Sequence, residues 1–239
     1  MESRTFQTDR NVLKLKFSRN NVEKVIDIPT IAIDSLHSVP EKSTEPFNLI
    51  NNRIGYVAIG KFNDQHLEPL LKLMDGKEGL IFDYRDYPIA DLNDLFSNYL
   101  FPEKKTFAHF TGNRDLSPGE FAVSGLSSVV TYNPNYFKGK VVILIDESTQ
   151  SAAETQVMDF QTIPGVIVIG RHTAGANGNI FWIPLPLGFE TAFSGIGVYY
   201  PDGRETQGIG IVPDIYVELT SEDVKNKVDR ILETAIRLF

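Results

Sequence analysis

Three observations predict an α/β fold with a mostly parallel sheet. Short apolar runs recur along the second half of the first hundred residues and beyond, and read as strands. Segments with the apolar spacing of amphipathic helices stand between them. The size is right for it: 239 residues, 42% hydrophobic and 23% charged, suit one large domain or a domain with a small appendage.

The elements follow in order. Val12-Leu-Lys-Leu-Lys-Phe17 alternates apolar and polar, Asn20-Asn21 makes a turn, and Val22 to Ile28 returns, so the chain opens with a β-hairpin. A lone hairpin is marginal in water. It is expected to be the tail of something larger or a flap on the main body. Residues 38–50 are Pro-rich and polar and read as a linker. The main body then runs from residue 51. Ile54 to Ile59 is a strand, Asp64 to Leu73 a helix with Leu67, Leu70 and Leu71 on one side, and Gly79 to Asp83 a strand. A helix is expected from Ile89 to Leu100 and a strand from Phe107 to Thr111. Lys140 to Asp146 reads as a buried strand, Ser151 to Phe160 as a helix, and Val166 to Ile169 as another strand. Phe181 to Leu185 and Glu190 to Ser194 form a β-pair around Gly188. Asp223 to Leu238 is expected to be one terminal helix.

Composition narrows the function classes. The formal net charge is -8 and no long Lys/Arg cluster appears, which argues against nucleic acid or an anionic membrane as partner. Without cysteine there are no disulfides or thiolate metal sites. His37, His66, His109 and His172 lack metal-ligand spacing, so neither a metal nor another cofactor is expected. No apolar run reaches the roughly 18 to 20 residues of a membrane span. The N-terminus lacks the apolar core of a signal peptide, so the protein is either cytosolic or continues upstream into a targeting segment.

Ser151 stands at a strand-to-helix joint. There its hydroxyl would lie near the positive end of a helix dipole, beside free backbone N–H groups that can hold an oxyanion. The alternative is that Ser148, Thr149 or Ser151 only caps the helix.

Three segments, in order, resemble the carboxy-terminal-processing (tail-specific) serine peptidases and their tricorn core-like branch. Gly79-Leu-Ile-Phe-Asp-Tyr-Arg-Asp-Tyr-Pro88 is similar to that family's strand and loop ending in R-x-N-P. Asp146-Glu-Ser-Thr-Gln-Ser-Ala-Ala-Glu154 is similar to its nucleophile segment. Val168-Ile-Gly-Arg-His-Thr-Ala-Gly175 and Tyr199-Tyr-Pro-Asp-Gly-Arg-Glu-Thr-Gln-Gly-Ile-Gly-Ile-Val-Pro-Asp-Ile215 are similar to its G-x-x-T-x-G turn and closing segment. The resemblance implies a ClpP/crotonase-like body over residues 51–239, with the hairpin of residues 1–37 as the end of a PDZ-like domain. It implies Ser151 as nucleophile, with the backbone N–H groups of Ala152 and Ile89 as oxyanion donors. The substrate would be peptide, in unfolded or C-terminal segments, and the compartment the cell envelope or periplasm. The oligomeric state stays open, self-association included.

Three departures qualify this. Ala176 stands where many relatives carry the catalytic lysine, and a methyl group takes no proton. The tricorn-like branch uses a histidine upstream of its PDZ-like domain, outside these residues. Gln207 falls at a position where that branch has an acid, and it could orient a group by hydrogen bonding. His172, beside the Thr173 turn, is the local substitute base. The loop before Ile89 carries Pro88 in place of glycines, and a lost oxyanion donor costs about 3 kcal/mol. A non-catalytic peptide-binding module on the same fold is therefore the alternative to a peptidase. Acyl-CoA chemistry, which the crotonase fold also hosts, finds no basic cluster for a nucleotide phosphate here.

Overall fold

The computed structural model describes residues 10–30, 43–113, 121–128 and 131–239. It has two compact units, residues 1–42 and 43–239. In the first, β1 (Val12–Arg19) and β2 (Val22–Pro29) form an antiparallel hairpin. Asn20 and Asn21 close it with φ of 54° and 62°, the left-handed pair that matches strand twist. His37 and linker residues 38–42 lie outside the described residues.

The second unit begins with β3 (Phe47–Ile50), β4 (Ile54–Ala58), α1 (Asp64–Leu73), β5 (Gly79–Asp83) and α2 (Leu92–Leu100). Next come β6 (Thr106–Asn113), β7 (Phe121–Ser128), β8 (Lys140–Ile145), α3 (Ala152–Phe160) and β9 (Ile167–Gly170). It closes with β10 (Ile180–Pro184), β11 (Glu190–Ser194), β12 (Val198–Tyr199), β13 (Ile215–Tyr216), α4 (Ser221–Asn226) and α5 (Arg230–Ile236). The central sheet has six strands in the order β13-β9-β8-β5-β4-β3. All its pairs are parallel except β3 with β4. The expected α/β body with a mostly parallel sheet is what forms.

Alternation along the central strands splits the core into two layers. Leu80, Phe82, Val141, Ile143 and Ile145 face α1, α2 and α3, where Leu70, Phe96, Val157 and Phe160 are buried. Ile81, Val142 and Leu144 face the other way, against Ile231 and Ala235 of α5. Burying each such side chain contributes about 2 kcal/mol. An ion network ties the end of β5 to α5. Arg85 Nη2 donates to Asp83 Oδ2 at 2.6 Å and to Asp229 Oδ2 at 2.7 Å, and the Tyr56 hydroxyl donates to Asp83 Oδ2 at 2.6 Å. Burial pushes the Asp83 carboxyl up, but Arg85 and Tyr56 outweigh it, and the net direction is downward. Arg85 therefore pairs with both Asp83 and Asp229.

Three elements differ from expectation. Phe47–Ile50, assigned by composition to the linker, pairs with β4 through a second Asn-Asn turn, Asn51 and Asn52 at φ 51° and 55°. Residues 121–128 form β7 against β6, although Gly125 and the serines there lack clear alternation. The terminal helix is broken, because Lys227 takes a left-handed φ of 55° and Asp229 recaps the chain by accepting from Leu232 N at 3.0 Å. Val228 falls in that break.

Candidate active site

The turn after β8 is fastened to the end of β5 by two hydroxyls. Thr149 Oγ1 donates to Tyr84 O at 2.8 Å and Ser148 Oγ to Arg85 O at 2.7 Å. Ser151 follows as the N-cap of α3, with φ 55° and ψ −120°. Such a backbone is strained in a residue with a side chain, and persists only where its surroundings impose it. Here Ser151 N donates to Ala176 O at 2.9 Å and to Glu154 Oε2 at 3.3 Å. The hydroxyl stands toward Glu154 N, as in a capping box, without a hydrogen bond of normal geometry. Ser151 is half-buried and lines a cavity of about 590 Å³ together with Ala152.

Glu154 holds this arrangement. Its side chain is fully buried and accepts from Thr173 Oγ1 and from Gly175 N at 2.8 Å, besides Ser151 N. Burial raises its pKa and these donors oppose the rise. Thr173 Oγ1 in turn accepts from Ile211 N at 2.7 Å. Gly175 has φ +63°, and a Cβ there would stand 2.9 Å from Ile209 N. The turn after β9 is thus clamped between α3 and the segment near residue 210. Its carbonyl at Ala176 then reaches Ser151.

The other residues singled out by sequence fall as follows. Ala152 opens α3, where the first N–H groups have no partner within the helix. Ile89 lies on the loop between β5 and α2 with its side chain exposed. The residues that this loop gives to the cavity wall are Tyr87 and Asp91. Gln207 is saturated: Nε2 donates to Asn177 O at 2.9 Å and Ile196 O at 2.8 Å, and Oε1 accepts from Val198 N at 3.2 Å. It pins two loops of the cavity wall and lines a neighbouring cavity. His172 is exposed and is not part of the wall that Ser151 shares. His66 accepts from Asn63 N at 3.1 Å in the capping box of α1, and His109 stacks on Tyr199, both structural placements.

The cavity has polar features that local sequence did not signal. Ser151, Thr155 and Asp159 are four residues apart on α3 and share one face toward it. Asp159 is 3% exposed, and its Oδ1 has no hydrogen-bond partner. Burial, with Asp91 and then Asp94 adding repulsion, pushes its pKa up to about 7 against an opposing hydrogen bond from Asn93. Asn93 Oδ1 and Asn177 Nδ2 are likewise buried without partners. Among the described residues no group of His, Asp or Glu could hold a metal ion.

Comparison with known proteins agrees with this architecture. The signature of peptidase family S41 matches residues 53–217. A candidate peptidase from Parabacteroides merdae superposes with a TM-score of 0.69 at 26% identity, over 80% of this chain and 63% of that one. This chain therefore spans somewhat under two thirds of that relative's length. Mature CPAF, solved in complex with lactacystin, gives 0.66 at 13% identity over 97% of this chain and 67% of that one. The photosystem II D1 C-terminal processing protease gives 0.52 at 14% identity over 82% and 52%. A search of curated proteins finds no match by sequence. With the family signature covering most of the chain, and the strand, turn and helix around Ser151 formed, the chain belongs to peptidase family S41.

Proposed function

We propose that this protein is a serine peptidase of the C-terminal-processing type that cleaves unfolded or C-terminal peptide segments, with Ser151 as nucleophile. The observation that carries it is Ser151 held at positive φ at the mouth of α3, on the wall of a cavity large enough for peptide side chains. Ser151 Oγ attacks the scissile carbonyl carbon while its proton passes to a base. The carbonyl electrons move onto the oxygen, where the N–H group of Ala152 receives them. Collapse expels the amine, which takes up the proton, and water then hydrolyses the acyl-serine ester.

No base stands beside the Ser151 hydroxyl among the described residues, and this reading takes it from a residue outside them. Ala176 offers only a methyl group, Glu154 bonds the Ser151 backbone rather than the hydroxyl, and His172 is exposed and is not part of the shared wall. A histidine from another segment of the full-length protein suits the tricorn-like pattern. By the same reasoning the hairpin of β1 and β2 ends a PDZ-like domain.

The test is hydrolysis of an unfolded protein by the full-length enzyme and its Ser151→Ala variant. Turnover in the wild type and its loss by a factor of about 10⁴ or more in the variant is expected. Equal turnover in both would remove Ser151 from the mechanism. Peptide binding without turnover in either would favour the non-catalytic module.

A further inference from the structure

We propose that the cavity beside Ser151 ends in a cation pocket formed by Asp91, Asp94 and Asp159, which selects lysine or arginine at the residue supplying the scissile carbonyl. The inference rests on the peptide-cleaving reading above and specifies its substrate.

Asp159 and Asn93 are both at least nine-tenths buried, both line the cavity, and both present an oxygen with no donor. Two unpartnered buried acceptors in one place are costly, and a hydrogen-bond donor placed there relieves both. Asp91 and Asp94 add negative charge from the first turn of α2, and none of the three carboxylates is ion-paired among the described residues. A donor that also carries positive charge therefore fits better than a neutral one. Since no metal-holding group is present among the described residues, the charge is better brought on an organic stem.

Distance then selects the stem. Asp159 lies eight residues after Ser151 on the same face of α3, about 12 Å along the axis. A four-carbon lysine stem or the arginine chain, starting at the residue attacked by Ser151, extends its charge toward that end while its methylenes line the path. Phe107 and Phe110 of β6 line the same cavity and give that stem apolar surface. Leucine or valine at this position stops short and leaves the carboxylate alone. The burial that raises the Asp159 pKa is relieved when a cation sits beside it, so ligand and carboxylate ionise together.

The test uses the full-length protein carrying Ser151→Ala, so that peptides bind without being cut. Two peptides differing only by lysine or norleucine at that residue are titrated at pH 8. The lysine peptide is expected to bind at least tenfold tighter. Adding Asp159→Asn should bring the ratio close to one, and Asp94→Asn should lower it in part. If Asp159→Asn does not fold, judged by circular dichroism, Asp94→Asn decides. A ratio near one in the Ser151→Ala protein, an unchanged ratio in the folded variants, or binding of neither peptide overturns the pocket. Labelling of wild-type Ser151 by a fluorophosphonate is scored separately. A labelled protein with a ratio of one loses only the pocket, and an unlabelled protein with a ratio of ten loses only the hydrolysis.

Discussion

At the scale of single residues, Ser151 and Asp159 share one helix face but differ in how far local sequence betrays them. Ser151 was legible because its surroundings are local: an apolar strand, a short polar turn, then a helix. Asp159 was not, because an acid late in a helix looks like a solvated residue. Only the packing of α2 across α3 buries it, and its neighbours Asp91, Asn93 and Asp94 lie more than sixty residues earlier. Glu154 was partly hidden for the opposite reason. An acid in the first turn already has a local explanation in the helix dipole, so its bonds to Thr173 and Gly175 gave no signal. His172 shows that adjacency to Thr173 in sequence does not bring a side chain to the cavity. The raised Asp159 pKa has a consequence for stability. A carboxyl that holds its proton more tightly when folded makes the fold lose stability as pH climbs from the ordinary carboxylate range through about 7. Asp91 and Asp94 on α2 and the Tyr84 hydroxyl on the β5 side are the titratable groups facing it. Asp159→Asn is thus predicted to raise stability by about 2 kcal/mol at pH 8, or several °C in Tm, with little gain at pH 4.5. Thermal melts at both pH values check this, and a lower Tm at pH 8 would contradict it. Stability gained at the expense of substrate selection is the expected mark of a functional group.

At the scale of elements, the site is a junction of two turns, one after β8 and one after β9, locked by Glu154. Strand and helix identities in this region were readable because the central strands are continuous apolar runs and the helices keep a clear stripe. The turn after β9 was readable only as a pattern of glycines, since its partners sit near residue 210. Its physical requirement is now explicit. Gly175→Ala would combine left-handed strain with a Cβ 2.9–3.0 Å from three backbone nitrogens, whereas Gly203, at φ +88°, has nothing within 4 Å. Gly175→Ala is predicted to cost about 3 kcal/mol and Gly203→Ala about 1 kcal/mol, measured by urea unfolding. Equal costs would mean that the two turns are not packed together as described. The broken terminal helix was hidden for a related reason. Asp229 interrupts it to reach Arg85, 144 residues away in sequence, and no local pattern records such a partner.

At the scale of the whole molecule, the parallel sheet presents the ends of β5 and β8 at one place, where ligands bind in open α/β folds. The order of alternating strands and helices made this topology accessible from sequence. The short edge strand β3 and the irregular β7 were not, because neither carries a strong period. The second unit forms the turn at Ser151 and the cavity, and among the described residues no Lys or His lines the wall that Ser151 shares. Whether the full-length protein holds the Ser151 hydroxyl as a nucleophile is read by intact-mass spectrometry after fluorophosphonate treatment. A single adduct is expected, mapped to Ser151 and absent from Ser151→Ala and from heat-unfolded protein. No adduct on the folded full-length protein, or an adduct on another serine with Ser151 untouched, would contradict it.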